Sequence, residues 1–188
     1  MIKIGLTGSI ASGKSIASKI ISKKKGPVFN ADKIVNKLYK HDYFKKLIIK
    51  KLKFNSKKKF KSELQNSILK DESVLKKLEK IIHPLVRKKM ITFLEENKNK
   101  KLSFCEIPLL VESKLTKYFD VIIFIKSKKI IRLKRYLLKG GDAKLFLLLN
   151  KHQFADAKKM KFCDHIVVNN NSLSFLKKQL YNIIKLYE

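Results

Sequence analysis

The stretch Met1-Ile-Lys-Ile-Gly-Leu-Thr-Gly-Ser-Ile-Ala-Ser-Gly-Lys-Ser15 decides the fold. Ile2, Ile4 and Leu6 alternate with polar or small residues, as a strand requires. The chain then turns at Gly8, and Gly8-Ser9-Ile10-Ala11-Ser12-Gly13-Lys14-Ser15 fits G-x-x-x-x-G-K-[ST], a phosphate-binding loop. Gly8 can leave the strand through backbone angles that side chains disfavour. Successive backbone N–H groups then curl around a phosphate, and a helix starting near Gly13 adds its positive end. In this pattern Lys14 reaches the β- and γ-phosphates and the Ser15 hydroxyl ligates Mg²⁺. Ile16, Ala17, Ile20 and Ile21 follow at helical spacing, so the motif has its strand before and its helix after.

Outward from the loop, residues 13–24 read as a helix that ends at the breaker Lys23-Lys24-Lys25-Gly26-Pro27. Pro27–Asn30 is a short second strand, and Asp32 at its carboxyl end opens a helix over Lys33–Tyr39. From His41 to Asn99 the pattern is helical and lysine-rich, with apolar stripes at Leu47/Ile48/Leu52, Leu64/Ile68/Leu69 and Leu75/Leu78/Ile81/Ile82. Pro84 starts a further helix, Leu85 to about Glu96. This block is too long for a simple crossover and reads as an inserted helical substrate lobe over residues 41–99. Leu102–Ile107 is the third strand, and Val121–Ile125, apolar on both faces, the fourth. A basic helix over 127–139 breaks at Gly140-Gly141, and another runs from about Asp142 to Lys161. His165–Val168 is the fifth strand, and Leu173–Tyr187 the last helix. With the phosphate loop on its first strand, the alternation predicts an α/β three-layer P-loop fold with a five-stranded parallel sheet. It forms one domain over residues 1–188, with the helical lobe inserted and a short lid within 132–161. Ligands of such sheets sit beyond the carboxyl ends of the strands.

Those strand ends hold the reactive side chains. Transfer of a phosphoryl group needs an acceptor hydroxyl in line with the γ-phosphate and a group to take its proton. Asp32 is placed for that task; it is also placed to cap the Lys33–Tyr39 helix, and the two roles are compatible. Glu106, ending the third strand, either orients Mg²⁺ through water or is a solvated strand-end charge. Glu112, after Pro108-Leu109-Leu110-Val111, either starts a helix or faces the acceptor. Arg132, Arg135 and Lys139 share one helical face before the glycine pair. They read as a lid that closes cations over a triphosphate, or as a solvated basic face. His83 either meets the substrate or caps the helix after Pro84, and spacing favours the cap.

Composition sets the bounds around these residues. The length suits one well-buried core. The net charge is +30, yet only Arg87, Arg132 and Arg135 among the 45 basic residues are arginine. Lysine spread along the whole chain fits compositional drift better than a nucleic-acid interface, which would cluster its charge and use arginine. A basic nucleic-acid-binding module is the competing class, but it would leave Lys14, Ser15 and Asp32 without a task. Cys105 and Cys163 read as free thiols of a reducing compartment, and the four histidines lack zinc-ligand spacing. No apolar run approaches a membrane span, and the amino terminus runs straight into the loop. The expected compartment is the cytoplasm, and the expected state a monomer with no membrane or specific nucleic-acid partner.

Taken together, these segments resemble the dephospho-coenzyme A kinase family. The resemblance runs from Ile4–Ser15, close to the family's L-T-G-G-I-G-S-G-K-S, through Asn30-Ala31-Asp32, where the family usually has D-A-D. It continues through Ile82-His83-Pro84-Leu85-Val86 and Ile107-Pro108-Leu109-Leu110-Val111-Glu112, similar to the family's P-L-L-F-E. It closes with Arg132-Leu-Lys-Arg135, Gln153 and Asp164–Asn169. It implies transfer of the ATP γ-phosphate to the ribose 3′-hydroxyl of dephospho-coenzyme A, with Mg²⁺. It further implies that Ala11, Ser12, Gly13, Lys14, Ser15 and Ile16 hold ATP and that Asp32 is the base. His83, Leu109, Leu110 and Glu112 would line the acceptor side, Arg135 and Lys139 would belong to the lid, and Asn169 would lie near the adenine. Asn30 replaces a family aspartate, Ala11 a glycine and Ile16 a frequent threonine. Lys61 and Lys139 stand where the family has arginine, keeping charge but losing the two-pronged grip on phosphate. The family's glycine-rich turn before Lys61 is missing from Phe54–Phe60.

Overall fold

The computed structural model describes residues 1–23, 25–53 and 60–188. In chain order the elements are β1 (Ile2–Thr7), α1 (Lys14–Ser22), β2 (Val28–Asn30), α2 (Ala31–Leu38), α3 (Asp42–Leu52), α4 (Phe60–Lys70), α5 (Ser73–Glu96), β3 (Leu102–Glu106), β4 (Val121–Lys126), α6 (Lys129–Leu137), α7 (Ala143–His152), α8 (Asp156–Met160), β5 (His165–Val168) and α9 (Leu173–Lys185). They fall into two compact units, residues 1–30 with 92–188 and residues 31–91.

The first unit is built on a parallel sheet of order β2-β3-β1-β4-β5. β1 is central, with Ile4 opposite Phe104 on one side and Val121 on the other. Parallel strands covered on both faces are buried along their length and are largely apolar. Every residue of β3 is accordingly buried, as is β4 from Val121 to Ile125. Ile4, Leu6, Phe104, Ile123 and Ile125 pack with Ala17 and Ile21 of α1 and Leu176, Leu180 and Ile184 of α9. Each of these leucine, isoleucine and phenylalanine side chains contributes about 1.5–3 kcal/mol when fully buried. The connection from β1 to β2 passes beyond β3, whereas β4 pairs on the other side of β1. The carboxyl end of β1 is therefore the switch point where a crevice opens.

The second unit is helical. Phe44, Ile48, Leu64, Ile68, Leu75, Leu78 and Ile82 are buried, so each of the three expected stripes contributes to its interior. Tyr39 sits with its ring centroid 6.1 Å from Phe44 and 5.4 Å from Phe60, and burial pushes its phenol up to about 12.

All five strands form as expected; several helix limits differ. The helical unit begins at Ala31 rather than at residue 41 and ends at Ile91 rather than 99. α2 starts at Ala31, which puts Asp32 inside the first turn instead of ahead of it. Pro84 does not start a helix: α5 runs unbroken from Ser73 to Glu96. Pro84 is solvent-exposed, while Leu78, Ile82, Val86 and Met90 keep one buried stripe on either side of it. That burial outweighs the roughly 3 kcal/mol that an interior proline costs. The long helix expected over 142–161 is two helices, because Gln153 and Ala155 take extended angles between α7 and α8. The basic helix is shorter than expected, and after Val111 there is no α-helix start: residues 108–114 form turns, followed by a single 3-10 turn at Thr116–Tyr118. The family's missing glycine turn falls on residues 54–59, outside the described residues. Among the described residues no helix is long and apolar enough to cross a membrane.

Candidate phosphate-transfer site

The loop between β1 and α1 adopts the backbone its sequence demands. Gly8 has φ +147 and Gly13 φ +98. A Cβ on Gly8 would lie 2.5 Å from the Ile125 carbonyl oxygen, and one on Gly13 would lie 2.1 Å from Asn169 Nδ2. Ala11, in place of the family glycine, has φ +57. A left-handed angle costs a residue with a Cβ roughly 1–2 kcal/mol. The Asn169 amide seats the loop by donating to the Ser12 carbonyl at 2.8 Å.

α1 starts at Lys14 with Gly13 as its cap, no side-chain cap bond and no acidic residue in the first turn. The positive helix end is thus not neutralised from within the helix, which suits an anion. Lys14 is buried and its Nζ donates to the Gly8 and Ser9 carbonyls at 2.8 and 2.9 Å. The ammonium is held on the loop itself. Ile16 is half exposed.

Glu106 settles one open alternative. It is 1 % exposed, so it is no solvated strand-end charge. Its Oε1 accepts from Ser15 Oγ at 2.6 Å, and its Oε2 from Ser18 Oγ at 2.8 Å and Asn30 Nδ2 at 2.5 Å. Three donors compensate a carboxylate that burial alone would disfavour. Asn30 is one of them: where the family has a carboxylate, this chain places a donor against Glu106. The hydroxyl of Ser15 next to a buried carboxylate is a hard-oxygen set of the kind Mg²⁺ takes alongside phosphate oxygens and waters. Among the described residues there is no group of three or more His, Cys, Asp or Glu that would form a dedicated metal cage. One hydroxyl backed by one acid fits a cation that arrives with its nucleotide.

The two arginines of α6 both face the loop. Arg135 donates to the Ser12 carbonyl at 3.4 Å, to Ser127 Oγ at 3.3 Å and to the Asn169 carbonyl at 3.1 Å. Arg132, expected on the lid face, is instead 5 % exposed. It donates to Asn150 Oδ1 at 2.7 Å and to the Ser127 and Ile10 carbonyls at 3.1 and 3.4 Å, and lies 5.9 Å from the Phe146 ring centroid. Burial lowers its pKa, opposed by Asp156. Arg132 is therefore a brace under the loop. Lys139 lies past the end of α6 and is exposed.

On the other side of β1, Leu110 is fully buried, with Cδ1 2.8 Å from where a Gly5 Cβ would be. Its side chain packs into the core. Leu109 is half-buried. Glu112 is neither a helix start nor solvated: its Oε1 lies 2.7 Å from Lys159 Nζ and accepts from the Phe154 N–H at 3.1 Å. Asp32, Lys61 and His83 belong to the unit 31–91. There Asp32 is exposed in the first turn of α2, Lys61 is exposed near the start of α4, and His83 is half-buried within α5 rather than ahead of a helix. Asp156 and Lys159 escaped the reading of the sequence. Their i, i+3 spacing was the only available sign, and lysine is so frequent here that Lys159 did not stand out.

A glycine-turned amide loop on a central parallel strand, a lysine held on it and a hydroxyl–carboxylate pair beside it define an ATP-dependent phosphotransferase of the P-loop kinase class. The dephospho-CoA kinase (CoaE) family model matches residues 2–174, and the dephospho-CoA kinase of Rickettsia conorii is 32 % identical over 190 residues, spanning 98 % of this chain and 97 % of that one. The chain belongs to the dephospho-CoA kinase family. The dephospho-CoA kinase of Bartonella henselae is 34 % identical over 187 residues, covering 97 % of this chain and 96 % of the relative. The crystal structure of TT1252 from Thermus thermophilus aligns with a TM-score of 0.77 at 25 % identity, over 100 % of this chain and 98 % of that one.

Proposed function

We propose that this enzyme transfers the γ-phosphoryl group of ATP to the ribose 3′-hydroxyl of dephospho-coenzyme A, giving coenzyme A and ADP as the final step of coenzyme A biosynthesis. The observation that carries the mechanism is the Ser15–Glu106 pair beside Lys14 at the start of α1, which has no side-chain cap bond. The amides of Ala11–Ser15 hold the polyphosphate, and Lys14 places its charge where negative charge moves towards the β–γ bridging oxygen. Ser15 would hold Mg²⁺, with Glu106 behind it; the ion, when bound, neutralises the β- and γ-oxygens. Asp32, two residues beyond the end of β2, takes the ribose proton as the new oxygen–phosphorus bond forms and the bond to the β-phosphate oxygen breaks. Lys61, His83, Leu109, Leu110 and Glu112 are the acceptor-binding residues. Arg135 and Lys139 belong to the lid, and Asn169 lies near the adenine end of the nucleotide. The enzyme works as a cytoplasmic monomer.

An acceptor panel tests the reaction. With ATP and Mg²⁺, dephospho-coenzyme A should exceed nucleosides and nucleoside monophosphates in kcat/KM by about a hundredfold, the scale a shaped site achieves. ADP formed only with a nucleoside monophosphate would replace this reading by another kinase of the same fold.

Glu106→Gln tests the metal role. Glutamine keeps the shape but turns one acceptor into a donor, facing either the Ser15 hydroxyl or the Ser18 hydroxyl and Asn30 amide. The Mg²⁺ concentration for half-maximal rate should rise about 10–100-fold, the usual effect of losing a group behind a metal ligand. A titration of rate against Mg²⁺ that superimposes on the wild type would remove Glu106 from the site.

A further inference from the structure

The short segment from Gln153 to Lys159 bonds in two directions. Towards the phosphate loop, Gln153 Oε1 accepts the Ile10 N–H at 3.0 Å, and the Asp156 carboxylate accepts the Ser9 hydroxyl. Towards the segment after β3, the Phe154 N–H and Lys159 Nζ both meet Glu112 Oε1, and Lys159 Nζ also donates to the Pro108 carbonyl at 3.3 Å. The Thr7 hydroxyl, at the end of β1, shares that carbonyl at 3.1 Å.

Lys159 is fully exposed to none of the solvent: its side chain is 0 % accessible, against 13 % for Glu112. Removing both charges from water is costly, and apolar side chains would join two segments at least as stably. What the ion pair supplies instead is direction, since the ammonium fixes both the Glu112 carboxylate and the Pro108 carbonyl. Glu112 Oε2 is buried and has no hydrogen-bond partner among the described residues. A carboxylate held by one oxygen, with its other oxygen unsatisfied, is under tension that a ligand or a small shift would relieve.

We propose that Lys159 is a positioning residue for phosphoryl transfer, and that residues 153–159 form a strut through which occupancy of the phosphate loop and of segment 108–112 favour each other. The second half rests on the assignment of Leu109 and Glu112 to the acceptor side. A nucleotide on the loop fixes Ser9 and Ile10; these fix Asp156 and Gln153; and Phe154 and Lys159 then hold Glu112 and Pro108 in one arrangement. The ordering cost is met by whichever substrate binds first, so the second binds more tightly, and linkage makes the effect reciprocal.

Isothermal titration on the full chain tests this, using a non-hydrolysable ATP analogue with and without saturating dephospho-coenzyme A. In the wild type, the acceptor should tighten analogue binding about fivefold or more. Two variants cut the strut from opposite ends. Gln153→Leu with Asp156→Ala removes both acceptors of the loop side and leaves the bonds to Glu112 in place. Lys159→Met with Glu112→Leu removes the donors and acceptors of the other side without stranding a buried charge. Each should bring the coupling factor close to one, and the loop-side variant should retain the wild-type affinity for acceptor alone. Thermal unfolding identifies which variants are folded; if the Lys159 variant is not, the loop-side variant decides. Wild-type protein without coupling, or a folded loop-side variant with coupling intact, overturns the proposal. Failure to phosphorylate dephospho-coenzyme A would instead strike the functional reading, and the coupling would then be read with the acceptor that the panel identifies.

Discussion

Lys14→Met should lower kcat/KM by about a thousandfold, the upper range for losing one group that stabilises transferred charge. The effect follows from where the ammonium is kept. Lys14 is 7 % exposed, and its Nζ bridges the Gly8 and Ser9 carbonyls within the loop that wraps the phosphates. Methionine retains most of the apolar stem and removes only the charge and its hydrogen bonds. The two carbonyls lose this donor, which costs the fold about 1 kcal/mol for each net bond. Such a loss moves the midpoint of unfolding by several degrees for a chain of this size, far too little to empty the folded state at assay temperature. Steady-state kinetics together with a thermal melt separate the two effects: a folded variant with a rate collapse is the expected pair. A folded variant within tenfold of the wild type would mean that the loop amides alone carry the phosphates.

The first fifteen residues were legible because three signals coincide there: a period of two, a glycine motif of fixed spacing, and a period near 3.6 behind it. All five strands were legible for a related reason, since doubly covered parallel strands are short apolar runs between breakers. Helix limits were less so. Pro84 carries a strong local stop signal, yet the buried stripe from Leu78 to Met90 overrides it. Asp32 reads as a cap from its neighbours, but α2 starts one residue earlier. Glu106 was ambiguous because its meaning lies in Ser15, Ser18 and Asn30, which reach it from other elements. Arg132 and Arg135 look alike on a helical wheel, and only the packing of Phe146 and Asn150 separates the buried brace from its neighbour. Lys159 is the extreme case. Its identity is drowned by a lysine-rich composition, and its partners, Glu112 and the Pro108 carbonyl, are far away in sequence.

Asp32→Asn should leave the KM for ATP unchanged and lower kcat by about a hundredfold or more, the range expected when a general base is lost. The competing reading, a charge that merely favours the start of α2, makes a different prediction of calculable size. Asp32 is the acidic residue of that first turn, and such a charge contributes about 0.3–1 kcal/mol to an exposed helix. Asparagine keeps the shape and loses the charge, so the melting temperature should fall by only a few degrees under either reading. Stability therefore does not discriminate, but turnover does. A helix-start charge predicts a kcat within about twofold of the wild type, because a helix weakened by less than 1 kcal/mol stays folded. A proton acceptor predicts a collapse of kcat and of kcat/KM for the acceptor together, the mark of an interaction made only in the transition state. The measurement is a pair of substrate titrations, ATP varied at saturating dephospho-coenzyme A and the reverse, on wild type and variant side by side. If kcat survives in the asparagine variant, Asp32 belongs to the helix alone and the base must be sought elsewhere in the site.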